Sequence, residues 1–219
     1  MSDHATHELL IARLARDLRP VAPLAPPWQR AAAWLVAAVW VGVLLSLFAD
    51  FPALRARLMA APDMWLSLLG AALTAILAGW AALQTSVPGR SALCALVPLP
   101  AVLLWIGAST AGCLRLTPIA GTVPEAPMHP MVCLEFLLLV SLPLLLLLTW
   151  QVRRAFPLRP GLTACLAGLA SAGAGATLLA LIHPFDATGE DLGLHFVGVV
   201  IIVALGRFGS GKSKEGLLF

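Results

Sequence analysis

From Ala31 onward the chain repeatedly runs for long stretches without a charged side chain. This pattern constrains the fold more than any other feature, because a helix needs about 20 apolar residues to cross the hydrocarbon core of a bilayer. Six such stretches can be drawn: Ala31–Ala49, Met64–Leu83, Ser91–Gly112, Met131–Trp150, Gly161–Ile182 and Leu192–Leu205. The fourth carries Glu135 near its start, and the sixth is short and borrows Arg207 as a snorkelling end. Composition excludes the alternative: 60% of the 219 residues are hydrophobic and only 11% are charged. A soluble domain carries about 25% charged residues and could not cover its surface with so few. The expected fold is an all-α membrane protein, a six-transmembrane-helix bundle. A net charge of +3 is too small to suggest nucleic-acid binding.

Orientation follows from where the basic residues fall. With both termini cytoplasmic, the inner side receives Arg13, Arg16, Arg19, Arg30, Arg90, Arg153, Arg154, Arg159, Arg207, Lys212 and Lys214. The outer side receives only Arg55, Arg57 and Arg115, of which the Arg55/Arg57 pair runs against the rule. Trp28, Trp65 and Trp150 fall near the predicted interfaces. Pro98, Pro100 and Pro143 lie within spans and should kink their helices. The run AGLASAGAGA, Ala167–Ala176, allows close helix approach and reads as bundle packing.

The first thirty residues are hydrophilic and of mixed charge, unlike a cleaved signal peptide, so they are expected to be retained. Within them His7–Arg19 predicts an amphipathic helix. Leu9, Leu10, Leu14 and Leu18, with Ile11 beside them, follow the i, i+4, i+8 spacing of such a helix, and Glu8, Arg13, Arg16, Asp17 and Arg19 occupy the rest of the surface. Pro20 ends it, and Pro20–Pro27 should be stiff and extended. Such a helix has three readings: it lies on the lipid surface, packs back on the bundle, or docks into a partner's groove.

The stretch Leu10–Leu35, LIARLARDLRPVAPLAPPWQRAAAWL, resembles the N-terminus of the NrsF family of six-span bacterial inner-membrane anti-sigma factors. The resemblance is carried by Asp17, Leu18, Pro20, Val21, Pro23, Leu24, Pro27 and Arg30, with Cys133 at the start of the fourth span and Ala180–Pro184 at the end of the fifth. It implies that a cytoplasmic N-terminal segment captures an extracytoplasmic-function sigma factor and surrenders it under periplasmic metal or oxidative stress. It also implies a responsive cysteine pair. Here the second position of that pair is taken by His183, which departs from a simple disulfide switch. Leu10, Ile11, Leu14 and Leu18 would be the apolar anchors, with Arg13, Arg16 and Asp17 setting register and Pro20 closing the segment.

The outer ends of the later spans also gather metal-binding chemistry. Cys133 and Glu135 start the fourth span, His183 and Asp186 follow the fifth, and His195 lies near the start of the sixth. Cys113 and His129 bracket the third loop, where a Cys113–Cys133 disulfide is compatible with an oxidising compartment. Cysteine, histidine and carboxylate together suit zinc-like or softer divalent metals. The bland reading is a small buried cysteine beside interfacial histidines, since no compact metal motif is present. No motif demands a cofactor, so a divalent metal at this face is the one candidate. Cys94 and Cys165 read as packing residues. The GSGKS at Gly209–Ser213 lacks the strand–loop–helix setting of a phosphate loop and reads as a solvated tail.

The expected organisation is a sigma-binding segment at 1–30, a transmembrane domain at 31–207 and a cytoplasmic tail at 208–219. The expected partners are a sigma factor and the lipid bilayer, with no direct nucleic acid. The alternative is an inner-membrane transporter of metals or small molecules. It would need acids or bases at mid-membrane depth, and the spans offer only hydroxyls there. No paired carboxylates or nucleophile–base arrangement points to an enzyme.

Overall fold

The computed structural model describes residues 2–16, 23–60, 62–116, 130–182 and 189–211. Among them every regular element is helical. They are α1 (Ser2–Arg16), α2 (Pro27–Ser46), α3 (Phe51–Ala60), α4 (Pro62–Thr85), α5 (Leu99–Leu116), α6 (Pro130–Arg153), α7 (Pro160–Ile182) and α8 (Gly189–Gly211). A short 3₁₀ turn, Ala92–Leu96, precedes α5.

Five segments are long and apolar enough to cross a membrane: Pro27–Ser46, Asp63–Thr85, Ala92–Gly112, Leu134–Arg153 and Pro160–Ile182. They mark the chain as a membrane protein. Of the helix α8, which runs for 23 residues, the described apolar stretch is Phe196–Leu205. Many large apolar side chains face outward, among them Val39, Trp40, Leu103, Leu139 and Leu146. Water would penalise such a surface and lipid does not.

The first predicted span begins earlier than Ala31. Pro27 opens α2, where its missing N–H costs nothing because first-turn donors have no helical partner. Pro98 and Pro100 act more strongly than kinks within one helix. Pro98 has no N–H to continue the ladder from the 3₁₀ turn, so α5 restarts at Leu99, with Pro100 in its first turn. By contrast α6 runs through Pro143. Between α4 and the 3₁₀ turn, Val87–Arg90 close a turn with Arg90 N–H on the Val87 carbonyl at 3.3 Å, and Gly89 takes φ +84° as only glycine does readily.

The helix α3 fills what the sequence reading left as a loop. Asp50 caps it, its carboxylate accepting the Ala53 N–H at 3.0 Å while its carbonyl accepts that of Leu54 at 2.9 Å. Leu54 turns inward and is buried.

At the centre lies α7, packed against α4, α6 and α8, with α2 leaning on the same group. Its Thr163, Leu166, Ala167, Ala170, Ser171, Ala172 and Ala174 are buried. Small side chains permit this: a Cβ at Gly168 would sit 2.6 Å from the Val203 backbone of α8. Trp34 anchors α2 in the core. It is 1% exposed, its ring lies against Gly79, and its Nε1–H donates to the Leu144 carbonyl of α6 at 3.0 Å. Alternation of the helices puts the start of α2 and the ends of α4 and α6 at one end of the bundle, here the tail end. The end of α5 and the starts of α6 and α8 lie at the far end.

Candidate functional site

The tail helix is built as the leucine spacing requires, though it starts at Ser2 rather than His7. Arg13 and Arg16 occupy its last turn, where cations meet the negative end of the helix dipole. Every residue from His7 to Arg16 is exposed. Leu9 is 73% exposed, Leu10 54%, Ile11 59% and Leu14 61%. The helix therefore does not pack back on the bundle, which removes one of its three readings. Asp17, Leu18 and Pro20, also expected in this surface, lie outside the described residues. Pro23–Pro26 carry no helix or strand, and Pro26 has the extended angles φ −58° and ψ 150° of a polyproline stretch.

The apolar face is thus left uncovered by the bundle, and the lipid surface and a partner's groove are the two readings that remain.

The far end holds the other candidate residues. Cys133 and Glu135 fall in the first two turns of α6, and His195 falls in the second turn of α8. These helices meet close by: a Cβ at Gly198 would come within 2.7 Å of Leu137 and 3.0 Å of Leu134. The topology thus puts Cys133, Glu135 and His195 within about a turn of one α6–α8 contact. Glu135 is exposed. The side chains of Cys133 and His195, and the whole of His183, lie outside the described residues. Among the described residues no group of three His, Cys, Asp or Glu side chains is arranged to hold a metal.

The same end contains polar packing that the sequence reading missed. Ser67 of α4 and Ser109 of α5 share a hydrogen bond at 2.8 Å. One turn outward, a Cβ at Gly112 would meet the Asp63 carboxylate at 2.6 Å. Asp63 lies just before the second predicted span, Met64–Leu83. The glycine opposite it was the available signal, since only the absence of a side chain lets the carboxylate rest on α5.

At the tail end Arg90, Arg153, Arg154 and Arg159 are exposed, and Arg154 stacks over the Trp150 ring at 4.0 Å from its centroid. Trp28 and Trp150 are 63% and 51% exposed at this level, as interfacial rings are. Cys94 and Cys165 are free thiols, both half-buried.

A family model described as "NrsF: Negative regulator of sigma F" matches residues 14–212. No curated protein and no solved structure matches the chain.

Proposed function

Because the chain belongs to the NrsF family, negative regulators of sigma F, we propose that it is an inner-membrane anti-sigma factor that captures an extracytoplasmic-function sigma factor on its N-terminal helix. The observation that carries this reading is the leucine face of α1, exposed on a proline-stiffened tether outside the bundle. Leu10, Ile11 and Leu14 supply the apolar anchors, Arg13 and Arg16 flank them, and Asp17, Leu18 and Pro20 extend the surface toward the linker. The functional division is a capture segment at 1–30, a membrane domain at 31–207 and a short tail at 208–219.

Both termini are assigned to the cytoplasm, with α8 as a sixth, short crossing. The exposed arginines at the tail end support this orientation by the positive-inside rule. A capture helix must also face the compartment where RNA polymerase works. Held at the membrane, the sigma factor is kept from the polymerase by occupancy, without chemistry. Among the described residues the buried polar side chains of α4, α6 and α7 are Thr74, Ser141, Gln151, Thr163 and Ser171, all uncharged. They offer no proton or ion relay, so transport is the weaker reading.

Release is assigned to the far end, where Cys133, Glu135, His183 and His195 form the candidate sensing group for a divalent metal or an oxidant. Cys133→Ser is expected to leave the sigma factor captured when cells are exposed to cadmium or peroxide. A sigma-dependent promoter reporter that responds normally in this variant removes the cysteine from the mechanism. Capture itself is tested by Leu14→Asp, which should abolish co-purification of the sigma factor while the protein still inserts in the membrane. Undiminished co-purification would refute docking on this face.

A further inference from the structure

A helix that stops leaves its last four carbonyls without intrahelical donors. At the end of α6 each of the four can be accounted for. The Trp150 carbonyl takes the Arg154 N–H at 3.3 Å, that of Val152 takes Ala155 at 3.1 Å, and that of Arg153 takes Phe156 at 3.1 Å. Phe156 then turns to φ 49°. The fourth carbonyl, on Gln151, receives its donor from another helix: the Arg30 guanidinium, in the first turn of α2.

Arg30 thus completes the C-cap of α6, a place where a cation also meets the negative end of the helix dipole. It is 7% exposed, unusual for an arginine at the edge of a span. Four residues on, along the same face of α2, Trp34 makes the second bond to α6, on the Leu144 carbonyl. Apart from Arg30, Ala31 and Trp34, the residues of α2 are half-buried or exposed. Two side-chain bonds on one face therefore fasten this helix to α6, and the charge-assisted one lies nearest the tail.

We infer that Arg30 is a positioning residue that fixes the base of the N-terminal tail to the end of α6. Immediately upstream, Pro27 starts the helix and Pro26 is extended, so the direction set at Arg30 carries to the near end of the linker. The partner helix is also the one that reaches the far end at Cys133 and Glu135. One continuous element thus joins the candidate sensing residues to the root of the tail. Pro143 lies midway, where its missing N–H interrupts the ladder. The functional meaning of this joint rests on the reading of the tail as the capture segment; the joint itself does not.

The experiment places spin labels at Leu24 and Leu158, both exposed, in the full chain freed of its native cysteines and held in lipid nanodiscs. The wild-type background should give a single narrow distance distribution. Arg30→Gln should lose the narrow peak, and Arg30→Lys, which restores a cationic donor, should recover it. An unchanged distribution in Arg30→Gln overturns the inference, as does an Arg30→Lys variant as broad as Arg30→Gln. Should Arg30→Gln fail to accumulate in the membrane, Trp34→Phe decides. It leaves the Arg30 bond in place, so a distribution that stays narrow supports Arg30 as the residue that fixes the base and a broadened one moves that role to Trp34 and overturns the inference. Co-purification of a sigma factor with the wild-type chain is scored separately, so failure of capture and failure of the joint are told apart.

Discussion

The helices α7 and α1 reverse the usual relation between hydrophobic side chains and burial. Much of α7 is glycine and alanine, yet it is buried through most of its length. The leucines and isoleucine of α1 are more strongly apolar, yet they stand in the open. Solvent explains the difference. Within a bilayer, lipid tails solvate leucine as well as a neighbouring helix does, so burial goes to whichever helix can be approached most closely. In water an apolar face is driven to find cover. Exposure on α2 or α5 therefore marks a lipid contact, whereas exposure on α1 marks an apolar face that the bundle leaves uncovered.

The contrast breaks first at Gly168. Gly168→Val would drive a branched side chain into the α8 backbone at a site with no room. It should cost about 3 kcal/mol, the upper end of ordinary overpacking. This would appear as a lowered melting temperature in detergent, with the tail helix itself unaffected. Unchanged melting would mean that α7 and α8 are not in the close contact described.

Leu14→Asp should do the opposite. Losing one leucine anchor removes about 1.5–3 kcal/mol of burial, and at 1.4 kcal/mol per factor of ten that is at least about tenfold in sigma-factor affinity. Melting should not move, because nothing in the bundle covers Leu14. A drop in melting without a loss of affinity would place α1 on the bundle after all. Trp34→Phe probes the boundary between the two regimes. It keeps the ring but deletes the bond to Leu144, and should destabilise by about 1 kcal/mol, measured as the same melting shift.

Much of this architecture is written in the sequence because bilayer thickness makes apolar length a direct readout. The charge-free runs mark five crossings, and the leucine spacing marks α1. What escaped depends on local competition or on distant partners. The helix α3 hides in a loop because its start is set by a single Asp50 cap. The third crossing breaks where Pro98 withholds a donor, although its hydropathy is unbroken. Arg30 reads as an ordinary flanking cation; only the fold brings it to a carbonyl of α6, 121 positions away in sequence. The far-end residues are legible as chemistry but not as a constellation, since their proximity depends on α6 meeting α8 at Gly198.

The account turns on whether the tail holds the sigma factor. The most direct measurement is affinity purification from native membranes of the full chain beside one lacking residues 1–22, which keeps Pro23–Pro27 and the Arg30 joint in place. A sigma factor recovered with the full chain and lost with the shortened one is the predicted result. Equal recovery with both would contradict it and move the capture surface onto the bundle.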